Sequence, residues 1–266
     1  MKIFSISTGI LALGLVMGQV NSTVAQDNNS KDSTTAEKSI FQDVTIGKKE
    51  YEANGEEVRY PRSYGGITFS RIDWGFSRLI DDGSFTLGEE NQFLEYKKAS
   101  NFGFDVAQFG MRFNPQFKVY VSAGFEWNYL RLKHNVLLDE DATPLAYTTP
   151  TDVTYKKNVF TSTYLRIPLT VELRTKKLAN GERIKFAFGP MTGVLLKGTQ
   201  RLKSNELGKQ KFKDNYNLAT FQYGGFARIG YDDFGLFVKY YVNDMFENSP
   251  DQQGINNLTF GLTLGF

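Results

Sequence analysis

From residue 117 to residue 129 every second residue is apolar: Phe117, Val119, Val121, Ala123, Phe125, Trp127, Tyr129. Between them stand Lys118, Tyr120, Ser122, Gly124, Glu126 and Asn128. A helix would mix the two sets around its circumference, whereas a strand sends them to opposite faces. The same count in twos returns at Thr163, Leu165, Ile167, Leu169, Val171 and Leu173, and again at Ile184, Phe186, Phe188, Val194 and Leu196. It continues through Phe221, Tyr223, Ala227 and Ile229, then Phe234, Leu236, Val238, Tyr240 and Val242, then Leu258, Phe260, Leu262, Leu264 and Phe266. Two earlier segments change phase. Ile67 and Phe69 are out of step with Ile72, Trp74 and Phe76, as are Phe102, Phe104 and Val106 with Phe109, Met111 and Phe113. One extra residue in each, a β-bulge, restores the face. Pro168 and Pro190 fall inside two segments. Proline cannot donate to a ladder, so bulges or rim positions are expected there.

This makes eight candidate strands, most long enough to cross a bilayer at a tilt, which takes roughly 9–11 residues. The connections differ in length by side. Asn114-Pro115-Gln116 and Tyr231-Asp232-Asp233 are short, and a third turn centres on Asn180-Gly181. Residues 78–100, 134–152, 199–215 and 243–254 form long polar connections. Short turns on one side and long loops on the other is the plan of an outer-membrane barrel. An even strand number puts both barrel ends on the short-turn side. A soluble lipocalin-like barrel also alternates, with its apolar face turned inward to a ligand. Aromatic residues toward strand ends (Trp127, Tyr129, Phe186, Tyr240, Phe266) and a last strand ending in an aromatic favour the membrane form. The expected fold is therefore all-β: an eight-stranded antiparallel up-and-down transmembrane β-barrel over residues 62–266, preceded by a polar N-terminal leader. Its inward face would carry Asp105, Glu126 and Glu172 against Arg112, Arg166, Arg228 and Lys239. Eight strands leave an interior just wide enough to fill with side chains, so a core of ion pairs is expected rather than a gated conduit.

Residues 1–25 read as a cleaved secretory signal: Lys2, an apolar run holding Ile10, Leu11, Leu13, Leu15 and Val16, then Thr23-Val24-Ala25 before the cut. Residues 26–61 are polar and mixed in charge, with few large apolar residues beyond Ile40, Phe41, Val44 and Ile46. They read as a partly disordered periplasmic leader. The implied location is the Gram-negative outer membrane.

Several chemistries are excluded or weak. The chain has no cysteine, so disulfides, thiolate metal sites, a catalytic thiol and a lipidated N-terminal Cys are ruled out. One histidine argues against a His-based metal site, and a formal charge of +2 against a general nucleic-acid binder. The sharpest enzymatic alternative is a barrel that modifies outer-membrane lipid, with His134 and either Ser100 or Ser162 at the outer rim. No spacing marks a Ser–His–acid set, and a loop histidine is more often simply solvated. The acidic runs Asp81-Asp82, Glu89-Glu90 and Asp139-Glu140-Asp141 offer oxygen ligands that would suit calcium between lipid phosphates, though without EF-hand spacing. Loop aromatics Phe85, Phe93, Tyr96 and Tyr147 would serve docking or pack the loops together. The basic stretch 197–213 suits lipid phosphates. No catalytic, cofactor-binding or metal-binding residue is assigned.

The arrangement from Tyr64 to Phe266 resembles the small outer-membrane β-barrel family typified by PorT. Its more specific pieces are Tyr164-Leu165-Arg166-Ile167-Pro168-Leu169 and the ending Asn256-Asn257-Leu258-Thr259-Phe260-Gly261-Leu262-Thr263-Leu264-Gly265-Phe266. The resemblance implies a non-enzymatic protein with a structural or interaction role: envelope integrity, adhesion, or an accessory part in protein secretion. The expected partners are outer-membrane lipid including lipopolysaccharide, the barrel-assembly machinery through the strand ending at Phe266, and an envelope or secretion-complex protein.

Overall fold

The alternating segments pair edge to edge until no edge remains. Residues 60–265 are described by the structure, a computed structural model. The expected signal peptide (residues 1–25), residues 26–59 of the expected leader and Phe266 lie outside the described residues. The strands are β1 (Arg62–Asp81), β2 (Leu94–Asn114), β3 (Phe117–Leu132), β4 (Leu137–Leu138), β5 (Tyr147–Thr148), β6 (Tyr155–Arg174), β7 (Ile184–Ser204), β8 (Lys209–Phe212), β9 (Phe221–Tyr231), β10 (Phe234–Tyr241) and β11 (Ile255–Leu264). Pairing runs β6-β3-β2-β1-β11-β10-β9-β7, and β7 pairs back with β6, so eight antiparallel strands close a ring. A closed ring satisfies every backbone ladder internally, which a lipid environment requires. β8 pairs only with the far end of β7, and β4 with β5 in a loop.

Both bulges appear where the phase changes. The β1–β2 register shifts twice rather than by the one residue expected, between Ile67 and Ser70 and between Ser70 and Asp73, where Arg71 has a left-handed backbone (φ 54°), and the β2–β3 register shifts across Val106. A further shift, between Thr163 and Tyr164 of β6, leaves Leu196 as the extra residue of β7. The prolines behave otherwise than expected. Pro168 pairs with Met191 and Pro190 with Gly225 in mid-wall, with no register shift at either. The β3–β6 pairing skips Ile167 and Pro168, and the β6–β7 pairing skips Gly189 and Pro190. Each proline thus opens one ladder locally, where its missing N–H would have donated, and keeps the other.

The short connections at 115–116, 175–183 and 232–233 lie on one side. Gly181 takes the left-handed conformation (φ 85°) that the middle one needs. Gly265 N donates to Asp233 O at 2.8 Å, and Arg62 pairs with Arg112 beside the β2–β3 turn, so both described ends of the barrel lie there. On the other side the strands run further than expected. Arg78 to Asp81, Leu94 to Ser100 and Thr199 to Ser204 are strand rather than loop, and β6 begins at Tyr155, ahead of the expected alternation from Thr163. The reason is a reversal of polarity along the strands, and β3 shows it without any bulge. Its even-numbered residues are buried throughout. They are polar or glycine from Lys118 to Asn128 and then apolar at Leu130 and Leu132.

Candidate functional site

The outward face of the wall is apolar. Trp74, Phe76, Phe109, Phe188, Phe221, Phe234, Leu236 and Leu262 are exposed, Trp74 at 66% and Phe234 at 68%. Phe102, Phe104, Phe125 and Trp127 pack against one another on it, with ring centroids 5.8–6.3 Å apart. In water such a continuous belt would be untenable; against acyl chains it is the stable surface. This overturns the lipocalin-like alternative, which needs the apolar face inside.

The lumen is filled by charge. Asp73, Asp105, Glu126 and Glu172 are buried with Arg71, Lys118, Arg166, Arg228 and Lys239. Asp73 stands at the centre. One of its carboxylate oxygens accepts from Arg166 Nη1 at 2.6 Å, Lys239 Nζ at 2.8 Å and Arg228 Nη2 at 2.9 Å. Arg166 Nη2 reaches Asp105 at 2.8 Å, and its Nη1 lies 3.3 Å from Glu126. Glu126 also takes Lys239 at 2.9 Å and the Tyr241 hydroxyl at 2.9 Å. Gly103 makes room for this guanidinium, since a Cβ there would lie 3.0 Å from Arg166 Nη1. Six strands of the ring (β1, β2, β3, β6, β9, β10) contribute, so the ion pairs are spokes across the barrel. Toward the short turns a second set forms. Glu172 accepts from Arg174 at 2.7 Å, the Tyr120 hydroxyl at 3.0 Å and Lys118 at 3.2 Å, while Arg71 donates to Tyr120 and Gln108 and stacks 4.4 Å over the Tyr120 ring. Toward the loops the network fades into amides. Asn101 donates to Asn128 at 2.7 Å, Asn257 to Asn128 at 3.2 Å and Asn128 to Ser162 at 3.4 Å.

Above the amides the inside turns apolar. Leu79, Phe93, Leu94, Leu130, Leu132, Val136, Leu138, Phe160, Tyr216, Leu218, Phe246 and Ile255 form one buried cluster across the loop-side mouth. Loops 133–154, 205–220 and 242–254 supply Val136, Leu138, Tyr216, Leu218 and Phe246 and are pinned by amide side chains. Gln200 Nε2 donates to Val136 O at 2.9 Å and Asn217 Nδ2 to Ala142 O at 2.8 Å, and Leu138 N donates to Gln200 Oε1 at 3.1 Å.

An apolar belt outside, a salt-bridged interior and long loops at one end define the class. A family model described as outer membrane protein beta-barrel domain matches residues 62–247. The chain belongs to this family. No curated protein matches the chain.

In this outer-membrane barrel the residues singled out in the sequence fall as follows. Asp105, Glu126, Arg166, Arg228 and Lys239 meet in the central network, and Glu172 in the second set. Arg112 lies at the rim, with Nη2 3.1 Å from Pro115 O. Asp73, the hub, was hidden by the bulge in β1; the parity of Ile72, Trp74 and Phe76, read by itself, sends it inward. The rim candidates for catalysis are not assembled. Ser162 points into the lumen beside Asn128, Ser100 pairs with outward Phe76, and His134 is exposed in the turn after β3. Asp81-Asp82 and Glu89-Glu90 come together with Asp251 around a groove of about 330 Å³, where Asp81 accepts from Gly88 N at 2.8 Å and Asn91 Nδ2 at 2.9 Å. Among the described residues no set of three or more His, Cys, Asp or Glu is placed to hold a metal. Glu140 fastens two loops, accepting from Lys213 N at 3.1 Å and the Tyr216 hydroxyl at 3.4 Å. Burial, with the Glu140 and Asp214 carboxylates beside it, pushes the Tyr216 phenol above its ordinary pKa. Phe93 packs on Tyr147 with the rings tilted and 4.9 Å between centroids, and Phe85 is exposed; the Tyr96 side chain lies outside the described part.

Proposed function

We propose that this barrel is a non-conducting, non-catalytic component of the Gram-negative outer membrane, exported by a cleaved signal peptide, whose work is structural or interaction-based. The observation that carries the reading is the double closure of its interior: ion-paired spokes in the membrane zone and an apolar cluster across the loop-side mouth. Asp73 and Glu126 have no exposed surface and Arg166 has 1%, so the lumen holds side chains where a porin holds water. Function then falls to the outer loops, the lipid-facing wall and the segments on the periplasmic side. Envelope integrity, adhesion and an accessory part in protein secretion of the PorT-like kind are the roles such a surface serves. Its partners in this reading are outer-leaflet lipid including lipopolysaccharide, the assembly machinery at the last strand, and an envelope or secretion-complex protein.

The test is reconstitution of the full chain in planar bilayers, together with lipid analysis of a deletion strain. The expected result is no steady conductance step and an unchanged lipid profile. A reproducible open-pore conductance, or the loss of one lipid species on deletion, overturns the proposal.

A further inference from the structure

Beyond the membrane belt, β6, β7 and β8 continue as a three-stranded sheet on the loop side of the ring. Its inner face (Asn158, Gln200, Leu202) is buried against the cap. Its outer face is exposed and almost wholly cationic. Lys157, Lys203 and Lys209 lie in one cross-strand row, and Val159, Arg201 and Lys211 in the next. Lys197 stands at the foot of the patch, one residue after the exposed Leu196.

Like charges directly opposite each other across a ladder are destabilising. Here Lys157 opposes Lys203, Lys203 opposes Lys209, and Arg201 opposes Lys211. Among the described residues none of these five forms an ion pair, although the lumen pairs its charges closely. Repulsion from Lys213, with some desolvation and further repulsion from Arg201 and Lys197, holds the Lys211 ammonium below its ordinary pKa. A row of cations that gains nothing from its own fold is explained by an anion supplied from outside. The position says which anion. Arg201 follows Leu196 by five residues, on the order of 16 Å of strand at ~3.3 Å per residue, and less in height because barrel strands tilt. The face also points away from the barrel axis. It therefore looks sideways into the headgroup layer of the outer leaflet rather than up into solvent.

We propose that the outer face of the β6–β7–β8 sheet binds the phosphate groups of lipopolysaccharide, with Arg201, Lys203 and Lys211 as the principal contacts. Guanidinium and ammonium donors on a rigid sheet suit a phosphate, Arg201 as a two-pronged donor and the lysines as point charges. The inference rests on the reading above that outer-leaflet lipid is a partner, but not on the absence of conductance.

The experiment uses the full chain, refolded in detergent free of lipopolysaccharide, and measures binding of three probes: phosphorylated lipopolysaccharide, the same material dephosphorylated, and phosphatidylglycerol nanodiscs. The variants are Arg201→Gln/Lys203→Gln/Lys211→Gln and a control, Lys176→Gln/Lys177→Gln, on the short-turn side. Wild type and control are expected to bind phosphorylated lipopolysaccharide at least tenfold tighter than either other probe, and the triple variant to lose that difference. The triple variant relieves repulsion, so its heat-modifiable gel shift should be retained. Equal binding of the dephosphorylated material, equal binding of phosphatidylglycerol, or full binding by the triple variant overturns the proposal. A conducting barrel would refute the non-conducting role while leaving this result standing.

Discussion

Along a single strand, β3 passes from a zone where water-soluble chemistry is inside to one where it is outside. From Lys118 to Asn128 the inward residues are polar and the outward ones include Val121, Phe125 and Trp127; past Tyr129 the inward residues are Leu130 and Leu132 and Arg131 is outward. The strand does not change geometry at the switch. The solvent changes. In the membrane zone the surroundings are apolar, so ionic groups must turn inward and satisfy each other, as Asp73, Glu126, Arg166 and Lys239 do. In the loop zone the surroundings are water and headgroups, so the ordinary rule of a soluble protein returns and apolar side chains form the core. The barrel is two proteins of opposite polarity built on one set of strands, and both halves close the interior.

The two halves should fail differently. The largest effect is expected for Arg166→Met, which takes one cation from among Asp73, Asp105 and Glu126 and leaves buried carboxylate uncompensated, at a cost of about 3–5 kcal/mol. The folded gel band should melt at clearly lower urea; an unchanged midpoint would remove the spokes from the account. Phe160→Ala empties the centre of the cap and should cost about 3–4 kcal/mol. Its damage should be confined to the loop side, seen as protease nicking of the loops while the membrane fragment and its gel shift persist. Damage to both zones together would mean that they are one cooperative unit. A third comparison uses one substitution in two places. Val238→Arg puts a charge in the lipid-facing belt and should cost about 2–4 kcal/mol, whereas Ile80→Arg, outward but above the belt, should cost about 0–1 kcal/mol. Equal costs would mean that the belt does not end where the polarity reverses.

The smallest effect is one of pH. The Tyr216 phenol is held above its ordinary pKa, so the folded cap keeps a proton that the unfolded loops release near pH 10. Its contribution is complete below about pH 10 and is lost as pH rises from there through the folded value. Loop cleavage should therefore increase at alkaline pH with the barrel band intact, and Tyr216→Phe should remove the added alkaline sensitivity.

The membrane zone was legible in the sequence because one rule governs it. Strict parity from Phe117 to Tyr129 and from Leu258 to Leu264 marks the strands, and the unequal connections fix which end carries the loops. Both bulges were legible as phase slips. The cap was not, because its residues are scattered through loops that read as polar. Val136, Leu138, Tyr216, Leu218 and Phe246 share no period, and only the fold gathers them. One local signal was present: the inward parity of β3 turns from Asn128 to Leu130 without a break. The prolines misled for a physical reason, since a missing donor can be absorbed by one skipped pairing without displacing the register. Asp73 shows the reverse case, a hub concealed by the bulge that positions it.

The most direct test of the reversal is a single-cysteine scan along β3 in the outer membrane, which the cysteine-free chain makes clean. Arg131→Cys should react readily with a membrane-impermeant maleimide. Ser122→Cys, Asn128→Cys, Leu130→Cys and Leu132→Cys should not, and Phe125→Cys should yield only to a lipid-soluble reagent. Rapid aqueous labelling at Ser122→Cys and Asn128→Cys would show a water-filled lumen and contradict the account.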